Sequence, residues 1–170
     1  ATGVALLFNI RLPKNFDSPY LSTSLINFWQ RWHITLSSFL MNYIYFPWLK
    51  SMKSINFFKS MMITLFVFLI AGIWHGPTWL YVIFGALHGF GLIVNHTFNK
   101  FFEFKFNKYL GWFITFNYVN LTLIFFRSQE ISAPINILKA MLGLKGFEKF
   151  IFNVENLFIL SIFIVVIITT

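Results

Sequence analysis

Residues 60–94 read SMMITLFVFLIAGIWHGPTWLYVIFGALHGFGLIV and set the architecture of the chain. Two apolar runs, at about 60–74 and 78–94, are separated by the helix-breaking sequence His75-Gly76-Pro77. At about 1.5 Å per residue the first run would reach roughly 22 Å, short of the roughly 30 Å hydrocarbon core of a bilayer. The pattern therefore predicts a hairpin of two membrane helices whose interruption lies inside the membrane, against protein or a watery cavity.

The composition of the chain agrees with such a hairpin. Of the 170 residues, 58% are hydrophobic, 22% are aromatic and only 11% are charged, whereas soluble domains carry about 25% charged residues. The lipid bilayer is therefore the expected surrounding of the chain. The formal net charge of +8 comes from lysines and arginines between apolar runs, not on one basic face, which argues against nucleic acid as a partner. The absence of cysteine excludes disulfides, thiolate metal sites and cysteine nucleophiles.

The other segments predict an all-α, polytopic transmembrane protein with interfacial and re-entrant helices. The positive-inside rule places the basic loops at 50–59 and 100–108 in the cytoplasm, so His75 lies deep in the membrane or towards its outer side. The remaining predicted elements are a loop at 11–20, a helix capped by Ser22, Thr23 or Ser24 that runs to about Phe39, an apolar stretch at 43–49 broken at Pro47, a third span at 109–126, an amphipathic helix at 131–144 and a last span at 157–170.

Two histidines have neighbours that make them candidates for catalysis. They are His33, after Trp32 in the polar, aromatic helix, and His75, after Trp74 at the hairpin tip. Ionisable groups inside a membrane are costly and are therefore functional candidates. A neutral imidazole can take a proton from a hydroxyl group at physiological pH. The residues alone leave a second interpretation open for each histidine, namely a hydrogen bond within a helix bundle.

Aromatic and basic side chains near these histidines are the predicted substrate-binding residues. They are Arg31, Trp32, Trp74 and Trp79. Arg31 either holds an acidic group of a substrate or anchors the helix at the interface, and the tryptophans either shape a tunnel or belong to an aromatic belt.

His88 and His96 are weaker candidates, for helix packing and for an interfacial position respectively. They lie two turns apart and could face one metal ion, but no carboxylate or third ligand has suitable spacing, so no metal site is predicted.

Several longer motifs resemble one family, the bacterial membrane-bound O-acyltransferases. The motifs are NFDSPY at 15–20, FWQRWHITLS at 28–37, NYIY at 42–45, AGIWHGPTW at 71–79, GALHG at 85–89 and FFRS at 125–128. Their order and separations match those of the alginate, peptidoglycan and cellulose acetylation branch. The chain departs from the pattern at Gln30, where relatives often have Arg, and at Asn42, where many have Asp.

The resemblance implies that His75 is the essential catalytic histidine and His33 the second active-site position. It implies a ring of tilted helices around a tunnel, with residues 1–170 as the C-terminal catalytic part of one domain whose N-terminal helices lie upstream. The enzyme would sit in the inner (plasma) membrane, bind no cofactor tightly and use an acyl thioester, acetyl-CoA or a carrier-protein thioester, as co-substrate.

The acyl group, most simply acetyl, would pass to hydroxyls of an extracytoplasmic polysaccharide, directly or through an extracytoplasmic acetyltransferase partner protein. Two alternatives stay open at this point. One is D-alanyl transfer to teichoic acid, and the other is a non-catalytic transporter or translocation scaffold with proton-relaying histidines.

Overall fold

The computed structural model describes residues 2–103 and 106–145, and these residues form helices joined by short loops, with no strand. The predicted span at 157–170 lies outside the described residues. The helices are α1 (Thr2–Leu7), α2 (Leu25–Arg31), α3 (Ile34–Leu40), α4 (Phe46–Ser51), α5 (Phe57–His75), α6 (Trp79–Phe101), α7 (Lys108–Arg127) and α8 (Ser132–Met141), with a 3₁₀ turn at Pro19–Leu21 and a π-helical turn at Met41–Tyr45. The all-α prediction is confirmed for this part of the chain.

The predicted hairpin is formed by α5 and α6, which meet at the break after His75. Together with α7, these are helices long and apolar enough to cross a membrane, which confirms the three predicted spans in this region. Helix α5 has 19 residues, so at about 1.5 Å per residue it reaches roughly 28 Å. The span is therefore longer than the sequence suggested. It begins at Phe57, three residues before the predicted start, because the Asn56 side chain caps it by accepting the Lys59 N–H.

Close contact between α5 and α6 depends on two glycines that face each other. A Cβ atom at Gly72 would lie 2.3 Å from the Tyr81 carbonyl oxygen, and one at Gly85 would lie 2.3 Å from the Phe68 carbonyl oxygen. Small residues of this kind allow the backbones of two membrane helices to come into direct contact. The Gly72–Gly85 contact therefore holds the two helices of the hairpin close together.

The segment before the hairpin differs from the prediction of one helix reaching Phe39. Ser24 caps α2 by accepting the Asn27 N–H at 3.1 Å, as predicted. The helix then ends at Arg31, and α3 starts at Ile34 after His33 adopts the left-handed conformation with φ 47° and ψ 51°. The helical pattern continues in the sequence, but this backbone conformation interrupts it.

The predicted break at Pro47 is wrong. Pro47 lies in the first turn of α4, where proline is tolerated, and the π-helical turn at Met41–Tyr45 leads directly into it. The chain therefore stays helical from α3 into α4.

Helix α2 packs into the angle between α6 and α7. Leu25 and Phe28 are buried there against Leu92 of α6 and Val119 of α7. Two polar contacts fix the arrangement: Trp112 Nε1 donates to the Tyr20 carbonyl at 2.8 Å, and the Tyr118 hydroxyl donates to the Leu87 carbonyl at 2.6 Å. The stretch that carries His33 is thereby held against the membrane hairpin.

Candidate active site

His75 is the last residue of α5, where the helix must stop because Gly76 has φ 158° and Pro77 follows. Its ring is half-buried among aromatic rings at centroid distances of 4.9 Å for Trp74, 5.0 Å for Phe126 and 6.2 Å for Tyr81. Within residues 2–103 and 106–145 no group hydrogen-bonds to its imidazole. The described residues therefore leave both ring nitrogens free to meet a substrate.

His33 lies beside this ring, at the break between α2 and α3. The Trp74 indole is 6.2 Å from the His33 ring and 4.9 Å from the His75 ring, so one tryptophan contacts both histidines. Burial lowers the pKa of His33 below its ordinary value, so the ring is neutral at physiological pH. The two histidines predicted from sequence thus come together at one place.

The loop before α2 holds the break in position by pairing with it along the backbone. The Asp17 N–H donates to the Arg31 carbonyl, and the Ile34 N–H donates to the Asn15 carbonyl, both at 2.9 Å. Arg31 Nη1 also donates to the Asp17 carbonyl at 3.3 Å. Arg31 therefore holds this loop against the end of α2, a contact that neither of its two predicted roles describes, and both of those roles stay predictions.

The three tryptophans predicted to bind substrate occupy different environments. Trp74 bridges the histidines, as described above. Trp32 stacks on Phe28 of α2 at 5.6 Å and meets Phe16 of the preceding loop edge-on at 4.9 Å. Its ring therefore packs between that helix and that loop. Trp79 is 72% exposed at the start of α6 and makes no ring contact with either histidine in the described part of the chain. Its predicted role in binding is not tested by this geometry.

His88 is fully buried and joins three helices through directed hydrogen bonds. The Trp29 Nε1–H donates to His88 Nδ1 at 3.2 Å, because an indole nitrogen can only donate. The neutral ring then carries its proton on Nε2 and donates it to Thr122 Oγ1 at 2.9 Å, and that hydroxyl donates to the Val119 carbonyl. The packing role predicted for His88 is confirmed.

Replacing Thr122 by valine is expected to lower the free energy of unfolding by about 1–3 kcal/mol, because the buried His88 N–H loses its acceptor. Thr115→Val is the matched control: both threonines are buried and donate to a carbonyl of their own helix, but only Thr122 contacts a histidine. Thermal unfolding in detergent measures both variants. Equal losses would contradict a stabilising contribution from the hydrogen bond between His88 and Thr122.

No group of three metal-ligating side chains exists among the described residues. A separate cavity of about 860 Å³ lies between the second half of α6 and the first half of α7. It is lined by Phe90, Phe98, Tyr118 and neighbouring side chains, at the end of the hairpin away from His75.

Comparison with known proteins agrees with this geometry. Residues 2–131 match the family model described as MBOAT, membrane-bound O-acyltransferase family. The chain belongs to the membrane-bound O-acyltransferase family. This match spans both histidines, the hairpin and all of α7, and it confirms the resemblance carried by the sequence motifs.

Relatives within the membrane-bound O-acyltransferase family include enzymes of two kinds. The chain is 43% identical to the "Peptidoglycan O-acetyltransferase" of Helicobacter pylori over 86% of the chain and 28% of that relative. It is 31% identical to the "Probable alginate O-acetylase AlgI" of Pseudomonas aeruginosa over 92% of the chain and 30% of that relative. It is 34% identical to the "Teichoic acid D-alanyltransferase" of Streptococcus thermophilus over 74% of the chain and 35% of that relative. The chain thus spans about three tenths of the length of these relatives.

Two residues at the site had no role assigned from sequence, although both lie inside the motifs. The Asn15 side chain accepts hydrogen bonds beside His33, and the Phe126 ring packs against His75. Asn15 lies 18 positions from His33, and Phe126 lies 51 positions from His75. The only sequence feature that pointed to a role for these two residues was their position inside the family motifs at 15–20 and 125–128.

Proposed function

We propose that the protein is a membrane-bound O-acyltransferase that transfers acetyl from a cytoplasmic thioester to hydroxyl groups of an extracytoplasmic polysaccharide, such as peptidoglycan or alginate. The observation that carries this proposal is the half-buried His75 at the hairpin tip, whose ring nitrogens have no partner among the described residues. The relatives named as acetyltransferases support the choice of acetyl. The protein would be a multi-pass protein of the inner (plasma) membrane.

His75 is the proposed general base. Its neutral imidazole takes the proton of the acceptor hydroxyl while that oxygen attacks the thioester carbonyl and forms the ester C–O bond. The C–S bond then breaks, and the imidazolium returns the proton to the departing thiolate, so no cofactor is consumed. General base catalysis contributes about 10²- to 10⁴-fold to such a rate. Holding both substrates in the geometry for attack contributes much of the remaining rate enhancement.

His33 is the proposed partner of His75, and the aromatic rings around both histidines are proposed to exclude water from the reacting thioester. Trp74 contacts both imidazoles and would keep them at a fixed separation. Arg31 and Trp79 are proposed to contact the substrates at the edge of this enclosure. The acetyl group would reach the sugar directly or through an extracytoplasmic acetyltransferase partner protein.

Membrane vesicles with an exposed cytoplasmic face and the full-length protein test this function. We expect label from acetyl-CoA, or from an acetylated carrier protein, to appear as a base-labile ester on the polysaccharide, and label from free acetate to give none. Vesicles without the protein are the control. Transfer of label from D-alanyl carrier protein, with none from an acetyl thioester, would contradict the acetyl assignment.

Transfer of D-alanine to teichoic acid is the second candidate, because one relative at 34% identity is named a teichoic acid D-alanyltransferase. The same vesicles distinguish it, since the ester then contains an amine. Failure to form either ester in the presence of both donors would favour a non-catalytic transporter or scaffold.

A further inference from the structure

We infer that Asn15 is a positioning residue of the active site: its amide oxygen holds the proton of His33 on Nδ1 and leaves the Nε2 lone pair free. This inference rests on the proposed acyl transfer and assigns a function to a loop residue. Asn15 precedes α2, yet its side chain lies next to the start of α3.

The acceptor character of the Asn15 oxygen follows from its strongest partners. The Thr35 backbone N–H donates to Asn15 Oδ1 at 3.0 Å, and the Thr35 hydroxyl donates to it at 2.9 Å. A backbone N–H can only donate, so the atom facing it must be the amide oxygen and not the amide nitrogen. The orientation of the amide group is thereby fixed by the protein backbone.

The same oxygen contacts the imidazole of His33. His33 Nδ1 lies 3.4 Å from Asn15 Oδ1, a long but permitted hydrogen bond. Because Oδ1 can only accept, Nδ1 must donate, and the neutral ring then has its lone pair on Nε2. No group in the described ranges hydrogen-bonds to Nε2. A histidine whose tautomer is fixed in this way presents one defined nitrogen to a substrate or to its partner.

Asn15 also stabilises the backbone that carries His33. The left-handed conformation at His33 is unfavourable for a residue with a Cβ atom. The Asn15 carbonyl accepts the Ile34 N–H and its side chain accepts the Thr35 N–H, so one residue satisfies the first two donors of α3. These bonds replace the side-chain cap that His33 itself does not provide. A single residue thus fixes both the position and the tautomer of the ring.

Three variants of the full-length protein test the inference through the kinetics of transfer. Asn15→Ala removes the acceptor, and we expect kcat to fall about tenfold to a hundredfold while KM for the donor changes little. Asn15→Asp retains the acceptor oxygens and should recover most of the activity. Its carboxylate raises the pKa of His33, so the acid limb of the rate profile should move to higher pH. Thr35→Val, which removes one bond to the same oxygen but leaves the imidazole contact, should keep near-normal kcat.

The imidazole ¹⁵N chemical shifts of the full-length protein provide a readout that does not depend on activity. We expect the His33 signals, assigned by their loss in His33→Gln, to show a protonated Nδ1 in the wild type and a mixture of tautomers in Asn15→Ala. A protonated Nε2 in the wild type overturns the inference, as does an unchanged kcat in Asn15→Ala. If the wild type is inactive but its Nδ1 is protonated, the proposed function is refuted, while the effect of Asn15 on the His33 tautomer stands.

Discussion

Replacing His75 by alanine is expected to lower kcat for acetyl transfer by about 10²- to 10⁴-fold, the usual contribution of a general base. The half-buried ring lies at the hairpin tip with no hydrogen-bond partner among the described residues, so its removal deletes the proposed proton acceptor without breaking a hydrogen bond of that part of the fold. The rate is measured with purified full-length protein, a labelled thioester donor and a saccharide acceptor. KM for the donor should change little, since the lost interaction acts in the transition state.

The matched control is His96→Gln, a histidine on the other helix of the same hairpin. His96 lies near the C-terminal end of α6, whereas His75 lies beside the start of that helix. We expect the control to retain normal kcat at equal expression. A loss of activity of similar size in both variants would contradict a specific role for His75, because it would indicate general damage to the hairpin.

Replacing Gly85 by alanine is expected to destabilise the hairpin strongly. The new Cβ atom would lie 2.3 Å from the Phe68 carbonyl oxygen and 3.2 Å from the Gly72 Cα atom, so both helices must separate. Overpacking of this kind typically costs about 1–3 kcal/mol, and backbone atoms cannot rotate away as a flexible side chain can. The melting temperature in detergent and the amount of folded protein in membranes should both fall.

Gly3→Ala is the control for this substitution, because Gly3 is also helical but no heavy atom of the described residues lies within 4 Å of the position that a Cβ atom would take there. Alanine is the better helix former by about 1 kcal/mol, so the control should be neutral or slightly stabilising. If Gly85→Ala proves as stable as the wild type, the close contact of α5 and α6 is incorrect.

The sequence predicted the fold well wherever local pattern determines structure. Long apolar runs marked α5, α6 and α7, and His75-Gly76-Pro77 marked the tip of the hairpin. It failed at His33, where a left-handed residue divides α2 from α3. That break depends on hydrogen bonds from a distant loop, which helical periodicity cannot reveal. The continuous helix through Pro47 was also missed. A π-helical turn at Met41–Tyr45 precedes α4 and places Pro47 in the first turn of that helix, which the residue pattern does not indicate.

The candidate site was predicted in part. His33 and His75 were identified from their polar and aromatic surroundings and from the family motifs, and the structure brings both against Trp74. Asn15 and Phe126 could not be given roles, because their proximity arises only when the loop and α7 fold onto the hairpin. Contacts between distant positions of the chain are the part of a site that local patterns do not contain.

The most direct test of the central claim is the O-acetyl content of envelope polysaccharide, measured as base-released acetate in cells that express the full-length wild type or His75→Ala at matched membrane levels. The proposed function predicts that acetate in the variant falls to the level of cells lacking the protein. Acetate at the wild-type level in the variant would contradict the role of His75 in acetyl transfer.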